Sequence, residues 1–241
     1  MTRVRPAPGI LVFGGRGAIG SAVRKRFAAI DWDVTATSRF EAAPSEAGNS
    51  KWIACDSGAA LASSAELDAG APYSAVCWAQ GANMADSVFD VDSSQHLDLY
   101  RTNCLFVLET LRVLLDRPLL AHTARLVVVS SIWQRVARQD KLSYVMSKAA
   151  IGGLVRSASI DLAKRGILIN AVLPSVLDTP MTAAALSPAQ IENVAGATGF
   201  GRLTSLDDVV AAIEFLCSER NTGITGQSLS VDLGFSHAHD V

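Results

Sequence analysis

Short apolar runs alternate with amphipathic stretches along the whole of this chain. Runs at 10–13, 33–38, 51–55, 75–79, 126–129, 167–173 and 228–232 are dense in aliphatic and β-branched residues, as expected of strands in a sheet covered on both faces. Between them apolar residues recur at helical spacing. Ile19, Val23, Phe27 and Ile30 form one stripe, and Leu97, Leu99, Leu105, Leu108, Leu111 and Leu115 make 96–115 a mostly apolar helix. Further helices are predicted at 58–70, 142–164 and 206–217. Regular strand–helix alternation predicts an α/β fold of the Rossmann type, a doubly wound parallel sheet forming a single domain over 1–241. Two stretches break the pattern. Residues 41–50 read as a loop, and 181–200, rich in alanine and carrying Pro188, reads as a mobile flap over a substrate.

The first strand runs straight into Gly14-Gly15-Arg16-Gly17-Ala18-Ile19-Gly20, and a helix follows at once. Glycines let backbone approach a pyrophosphate, and the helix start offers unpaired N–H groups with partial positive charge. The second strand ends in Thr37-Ser38-Arg39, where an acidic residue would bond the ribose hydroxyls of NAD. A carboxylate there would repel a 2′-phosphate, whereas Arg16 and Arg39 attract one. NADP(H) is therefore the expected cofactor, the competing reading being two arginines on a solvated rim. Asp56 and Ser57 close the third strand, with the Asp56 carboxylate placed to accept from an adenine amino group. Ala79, Gln80 and Gly81 close the fourth, where a small residue again admits a nucleotide.

The fifth strand ends at Ser130-Ser131, and Tyr144 and Lys148 follow on one face of the 142–164 helix, a turn apart. An ammonium favours phenolate over phenol, so the spacing predicts a Tyr144 pKa drawn down from about 10. Ser131 then holds a carbonyl oxygen while Tyr144 gives or takes its proton, which is acid–base chemistry on an alcohol or ketone. Asn103, inside an apolar helix, is either locally bonded or placed for function. Gly152-Gly153 inside the 142–164 helix predicts close approach of another helix, including one from a second subunit. In a doubly wound sheet all these groups fall at the C-terminal strand ends.

Composition narrows the partners. A net charge of −2 gives no global field for nucleic acid or an anionic membrane. Cys55, Cys77, Cys104 and Cys217 stand singly, as core residues of a reducing compartment, and the apolar run before Gly14 is too short for a signal core. A cytoplasmic protein without a membrane span is expected. His237 and His239 in the tail lack further ligands, so no metal site is expected.

Taken together, the glycine loop, Ser131, Tyr144-Val145-Met146-Ser147-Lys148 and the closing Val231-Asp232-Leu233-Gly234 resemble the short-chain dehydrogenase/reductase family. The resemblance spans nearly all the chain, and Gly201-Arg202-Leu203 and Ile224-Thr225-Gly226-Gln227 are similar to 3-oxoacyl-acyl-carrier-protein reductases. It implies Tyr144 as acid/base and Lys148 as its partner on the nicotinamide ribose. It further implies Ser131 orienting the substrate oxygen, and Asn103 holding a water that links Lys148 to solvent. Pro174, Val176 and Thr179 would clamp the nicotinamide carboxamide, and pairing through the Asn103 and Tyr144 helices would build a dimer or homotetramer. Four positions depart from the family pattern: Phe13 for threonine, Ala18 for glycine, Trp78-Ala79-Gln80-Gly81 for an asparagine-rich turn, and Ser175 for glycine. The activity implied is reduction of a ketone, or oxidation of the matching alcohol. The alternatives are an NADP(H)-binding regulator without turnover and a non-redox isomerase or lyase of related fold.

Overall fold

Side chains of a strand alternate between faces, and here the alternation builds two cores. The computed structural model describes residues 7–40, 50–179, 182–183 and 186–237. Leu11 and Phe13 of β1 (Gly9–Phe13), Val76 and Trp78 of β4 (Tyr73–Trp78), and Leu126 and Val128 of β5 (Leu120–Val129) lie in one core. Ile10, Val12, Ala75, Cys77, Val127 and Val129 lie in the other. A sheet buried on both sides needs two helical layers. The first core is closed by α4 (Phe106–Asp116) and α5 (Leu142–Leu162), through Val107, Leu111, Leu114, Ile151 and Val155. The second is closed by α1 (Ala18–Ala28) and α7 (Leu206–Cys217), through Val23, Phe27, Val209, Ile213 and Leu216.

With β2 (Asp33–Ser38), β3 (Lys51–Ala54), β6 (Leu168–Pro174) and β7 (Ser228–Val231), the seven strands stand in the order β3-β2-β1-β4-β5-β6-β7. Every neighbouring pair is parallel. The chain winds outward from β1 in both directions. A crevice therefore opens beyond the ends of β1 and β4, where ligands bind in such sheets.

Some elements differ from the sequence expectation. The helix predicted at 58–70 stops as α2 (Gly58–Ser63), followed by a short 3₁₀ turn at Asp68–Gly70. Serines end it: the Ser63 hydroxyl bonds back to Ala59 and Ala60 carbonyls, and Ser64 turns to Glu66. The 96–115 helix divides into α3 (Ser93–Tyr100), a π-helical turn at Arg101–Leu105, and α4. Pro180 and, in the expected flap, Met181, Ala184 and Ala185 lie outside the described residues, as do 41–49 of the predicted loop. The flap's second half folds as α6 (Pro188–Gly196), started by a capping box between Ser187 and Gln190. Gly152 is explained within the chain, since a Cβ there would stand 2.8 Å from Nε2 of Gln134, whereas Gly153 faces open space. Among the described residues no helix is long and apolar enough to cross a membrane, and no cluster of metal-ligating side chains occurs.

Candidate active site

The glycine loop is folded against itself. Gly14 takes a φ of +74°, and a Cβ on it would meet the Gln80 backbone nitrogen at 2.7 Å. A Cβ on Gly20 would come within 2.2 Å of the Gly14 carbonyl oxygen. Neither position admits a side chain, and the cost of a substitution there is steric as well as conformational. Gly17, the residue capping α1, is exposed and offers no side chain, so the first N–H groups of the helix lack a side-chain partner. Arg16, Ala18 and Ile19 follow the same turn. This bare helix start, fronted by backbone that comes close, fits the pyrophosphate of a dinucleotide.

At the adenosine end, Ser38 turns inward, its hydroxyl donating to the Phe40 carbonyl at 2.6 Å. Arg39 is exposed, with its guanidinium 5.9 Å from the Phe40 ring. Arg16, on the glycine turn, lies 6.0 Å from the Trp52 ring. Arg24 and Trp52, which sequence reasoning missed, sit behind it. The Arg24 guanidinium lies 4.3 Å from the Trp52 ring and donates to the Gly15 carbonyl at 3.2 Å. No acidic residue ends β2. Asp56 is exposed and accepts from the Ser57 hydroxyl at 3.0 Å, while Ser57 caps α2 through Ala60.

Two family departures compensate one another beneath this loop. The Phe13 and Trp78 rings stack with centroids 5.5 Å apart, and the Trp78 indole donates to Thr110 Oγ1 at 2.8 Å. An aromatic pair thus joins the ends of β1 and β4 under Gly14.

Ser131, Tyr144, Lys148 and Asn103 come together around the end of β5. Ser131 is buried and caps a 3₁₀ turn at Ile132–Gln134, its oxygen accepting from the Trp133 amide at 3.3 Å. Lys148, 4% exposed, places Nζ 5.7 Å from the Tyr144 ring centroid and donates to the Val129 carbonyl at 3.3 Å. The π turn aims Asn103 inward. Its carboxamide accepts from the Ala82 amide at 2.8 Å and donates to the Ala82 carbonyl at 3.0 Å and to Ser147 Oγ at 3.0 Å. Ser147 in turn donates to the Tyr144 carbonyl at 2.8 Å. A Cβ on Gly81 would lie 3.4 Å from Asn103 Oδ1 and 3.5 Å from Lys148 Nζ. The turn at Gly81 and the polar site are therefore one place.

The electrostatics correct the sequence expectation. Burial pushes the Tyr144 pKa up, with the Ser131 hydroxyl opposing. Burial also lowers Lys148 from its ordinary 10.5 to about 8. Desolvation, which disfavours each charged form, outweighs the attraction that the spacing suggested.

Pro174, Val176 and Thr179 line the exit from β6. Pro174 ends the strand, and Thr179, buried, shares a hydroxyl contact of 3.2 Å with Thr182. Ser175 bonds Thr204 at 2.7 Å, a tether that the glycine of the family pattern could not supply. Among the residues not anticipated, Ser147 carried one sequence signal, a hydroxyl beside Lys148.

Fold and site together define a dinucleotide-binding protein with a tyrosine–lysine centre. The family model described as enoyl-(acyl carrier protein) reductase matches residues 17–236. YmfI, an uncharacterised oxidoreductase of Bacillus subtilis, is 31% identical over 164 residues, 68% of this chain and 67% of that one. The 3-oxoacyl-[acyl-carrier-protein] reductase FabG of Salmonella typhimurium is 28% identical over 137 residues, 57% of this chain and 56% of its own length. The structure of ElxO with NADP bound superposes with a TM-score of 0.86 at 22% identity, covering 96% of this chain and 99% of that one. The chain belongs to the short-chain dehydrogenase/reductase family.

Proposed function

We propose that this protein is an NADP(H)-dependent oxidoreductase that interconverts a ketone and its secondary alcohol, with Tyr144 as acid and base. The observation that carries the reading is the meeting of Ser131, Tyr144, Lys148 and Asn103 beside Gly81, at the crevice between β1 and β4. When bound, the nicotinamide supplies or accepts the hydride. Tyr144 gives its proton to the carbonyl oxygen during reduction and takes one back from the alcohol during oxidation. Ser131 orients the same oxygen. Lys148 contacts the nicotinamide ribose, and Asn103, held by Ala82 and Ser147, keeps a water path to it. Arg16 and Arg39 select the 2′-phosphate, and Pro174, Val176 and Thr179 hold the carboxamide.

The test is Tyr144→Phe. NADPH affinity should stay unchanged while turnover of a ketone panel falls about a thousandfold. Undiminished turnover removes Tyr144 from the role. We place the protein in the cytoplasm, in keeping with its four buried free cysteines, and read it as one domain with a substrate flap at 181–200. We read it also as a homodimer or tetramer. A groove of about 390 Å³, lined by Leu105, Leu108, Leu111, Ala150, Leu154 and Ala158 of the Asn103 and Tyr144 helices, supports that reading. None of the four site residues lines it.

A further inference from the structure

A second polar cluster lies beside the site. Asp86, 5% exposed, stands on the segment leaving β4, and Ser143, fully buried, immediately precedes Tyr144. Oδ1 of Asp86 accepts from the Ser143 amide at 3.0 Å, and Oδ2 accepts from the Ser143 hydroxyl. That hydroxyl also lies 2.8 Å from Nδ1 of His96, on α3. A hydroxyl has one proton to give. Since the carboxylate takes it, the imidazole is the donor across the other contact, and His96 carries its proton on Nδ1.

The start of α5 explains why such a cluster is needed. Its capping residue is Lys141, which makes no side-chain cap. Asp86 performs that task from another segment, accepting an orphan N–H of the first turn and placing negative charge at the helix N-terminus. Further bonds tie the same two segments. The Leu142 amide donates to the Asp86 carbonyl at 3.1 Å, and Lys141 Nζ donates to the Met84 carbonyl at 2.9 Å and to Asn83 Oδ1 at 3.0 Å. The stretch 81–86 thus runs from Gly81, beside Asn103 and Lys148, to the first turn of α5.

We propose that Asp86 and His96 are positioning residues that act through Ser143, fixing the first turn of α5 and with it the direction of the Tyr144 phenol. The inference rests on Tyr144 being the acid/base. Both carboxylate oxygens are spent on the one residue adjoining the reacting tyrosine, and α3, α5 and the β4 exit converge on a single hydroxyl.

Asp86→Asn makes the sharp test, because the buried Ser143 amide still requires an oxygen acceptor. The carboxamide oxygen must stay with that amide, leaving its NH₂ to donate to the Ser143 hydroxyl. The hydroxyl then turns its proton toward His96, whose own proton moves to Nε2. Nitrogen-15 NMR of the neutral ring should report Nδ1–H in the parent and Nε2–H in Asp86→Asn, with His96→Gln giving the assignment. An unchanged tautomer overturns the proposal. In the kinetic arm, Ser143→Ala and His96→Ala should each lower kcat about tenfold and shift the NADPH Kd by less than about twofold. His96 is half-buried, and its variant carries this arm if Ser143→Ala does not fold. Unchanged kcat, or Kd weakening in step with kcat, also overturns the proposal. The tautomer needs no substrate. A tautomer switch in a protein whose Tyr144→Phe variant retains turnover would locate the fault in the acid/base reading instead.

Discussion

Lys148 has few ways to hold its charge. The residue is 4% exposed, and its ammonium donates to the Val129 carbonyl and has a pKa of about 8 against an ordinary 10.5. Below about pH 8 it is charged in folded and unfolded chains alike, and the folded state bears the desolvation cost. As pH rises from 8 toward 10.5 the folded lysine loses its proton first, and the cost is relieved. The shift corresponds to at most about 3 kcal/mol. Lys148→Met should therefore raise the stability of the free protein at pH 7 by roughly 1–3 kcal/mol, read by urea titration, while abolishing turnover. It should also remove the stability gain between pH 8 and 10. A variant less stable than the parent at pH 7 contradicts the assignment. From spacing, the tyrosine and lysine were legible as partners, but the sign of the Tyr144 shift was not. That sign depends on burial, which no local pattern records.

Two elements show how far sequence reading reached. The glycine loop was readable because its constraint is local, and the structure adds which glycines are obligatory. Gly20→Ala drives a Cβ into the Gly14 carbonyl, backbone against backbone, whereas a Cβ on Gly17 would keep 3.4 Å from that same oxygen. Gly20→Ala should abolish NADPH binding or folding, and Gly17→Ala should preserve the melting temperature within a few degrees. The π turn at Arg101–Leu105 was not readable. Leucine spacing across 96–115 suits an uninterrupted helix, and only the inward Asn103 hinted otherwise. Its three hydrogen bonds close on Ala82 and Ser147, partners that are distant in sequence. Asn103→Ala frees both Ala82 groups and should cost about 2–3 kcal/mol. Hydrogen exchange at the Ala82 amide should accelerate with it. Unchanged protection there would mean the loop is held by something else.

For the whole molecule, strand–helix alternation sufficed to foresee one parallel sheet with helices on both faces. The order of strands was not foreseen, because right-handed connections narrow the topologies while doubly wound sheets still occur in more than one order. What also escaped was the cross-chain wiring: Arg24 onto Trp52, and Asp86 onto Ser143. The proposed cofactor choice also belongs to this scale, because Arg16 and Arg39 stand on separate loops. Arg39→Asp should reverse a preference for NADPH over NADH, measured as the ratio of kcat/KM values. An unaltered ratio would assign selection elsewhere. Assembly belongs here too. A monomeric mass by light scattering would refute the pairing read from the groove along α4 and α5.

The stacked Phe13 and Trp78 also turn the molecule into its own indicator. An indole sealed from water emits at short wavelength, and this one ends the strand that leads into the Ala79–Gly81 turn. A dihydronicotinamide arriving beside that turn would absorb the emitted light. Titration with reduced dinucleotide should quench a blue fluorescence component that Trp78→Phe lacks, making occupancy visible without any substrate in hand.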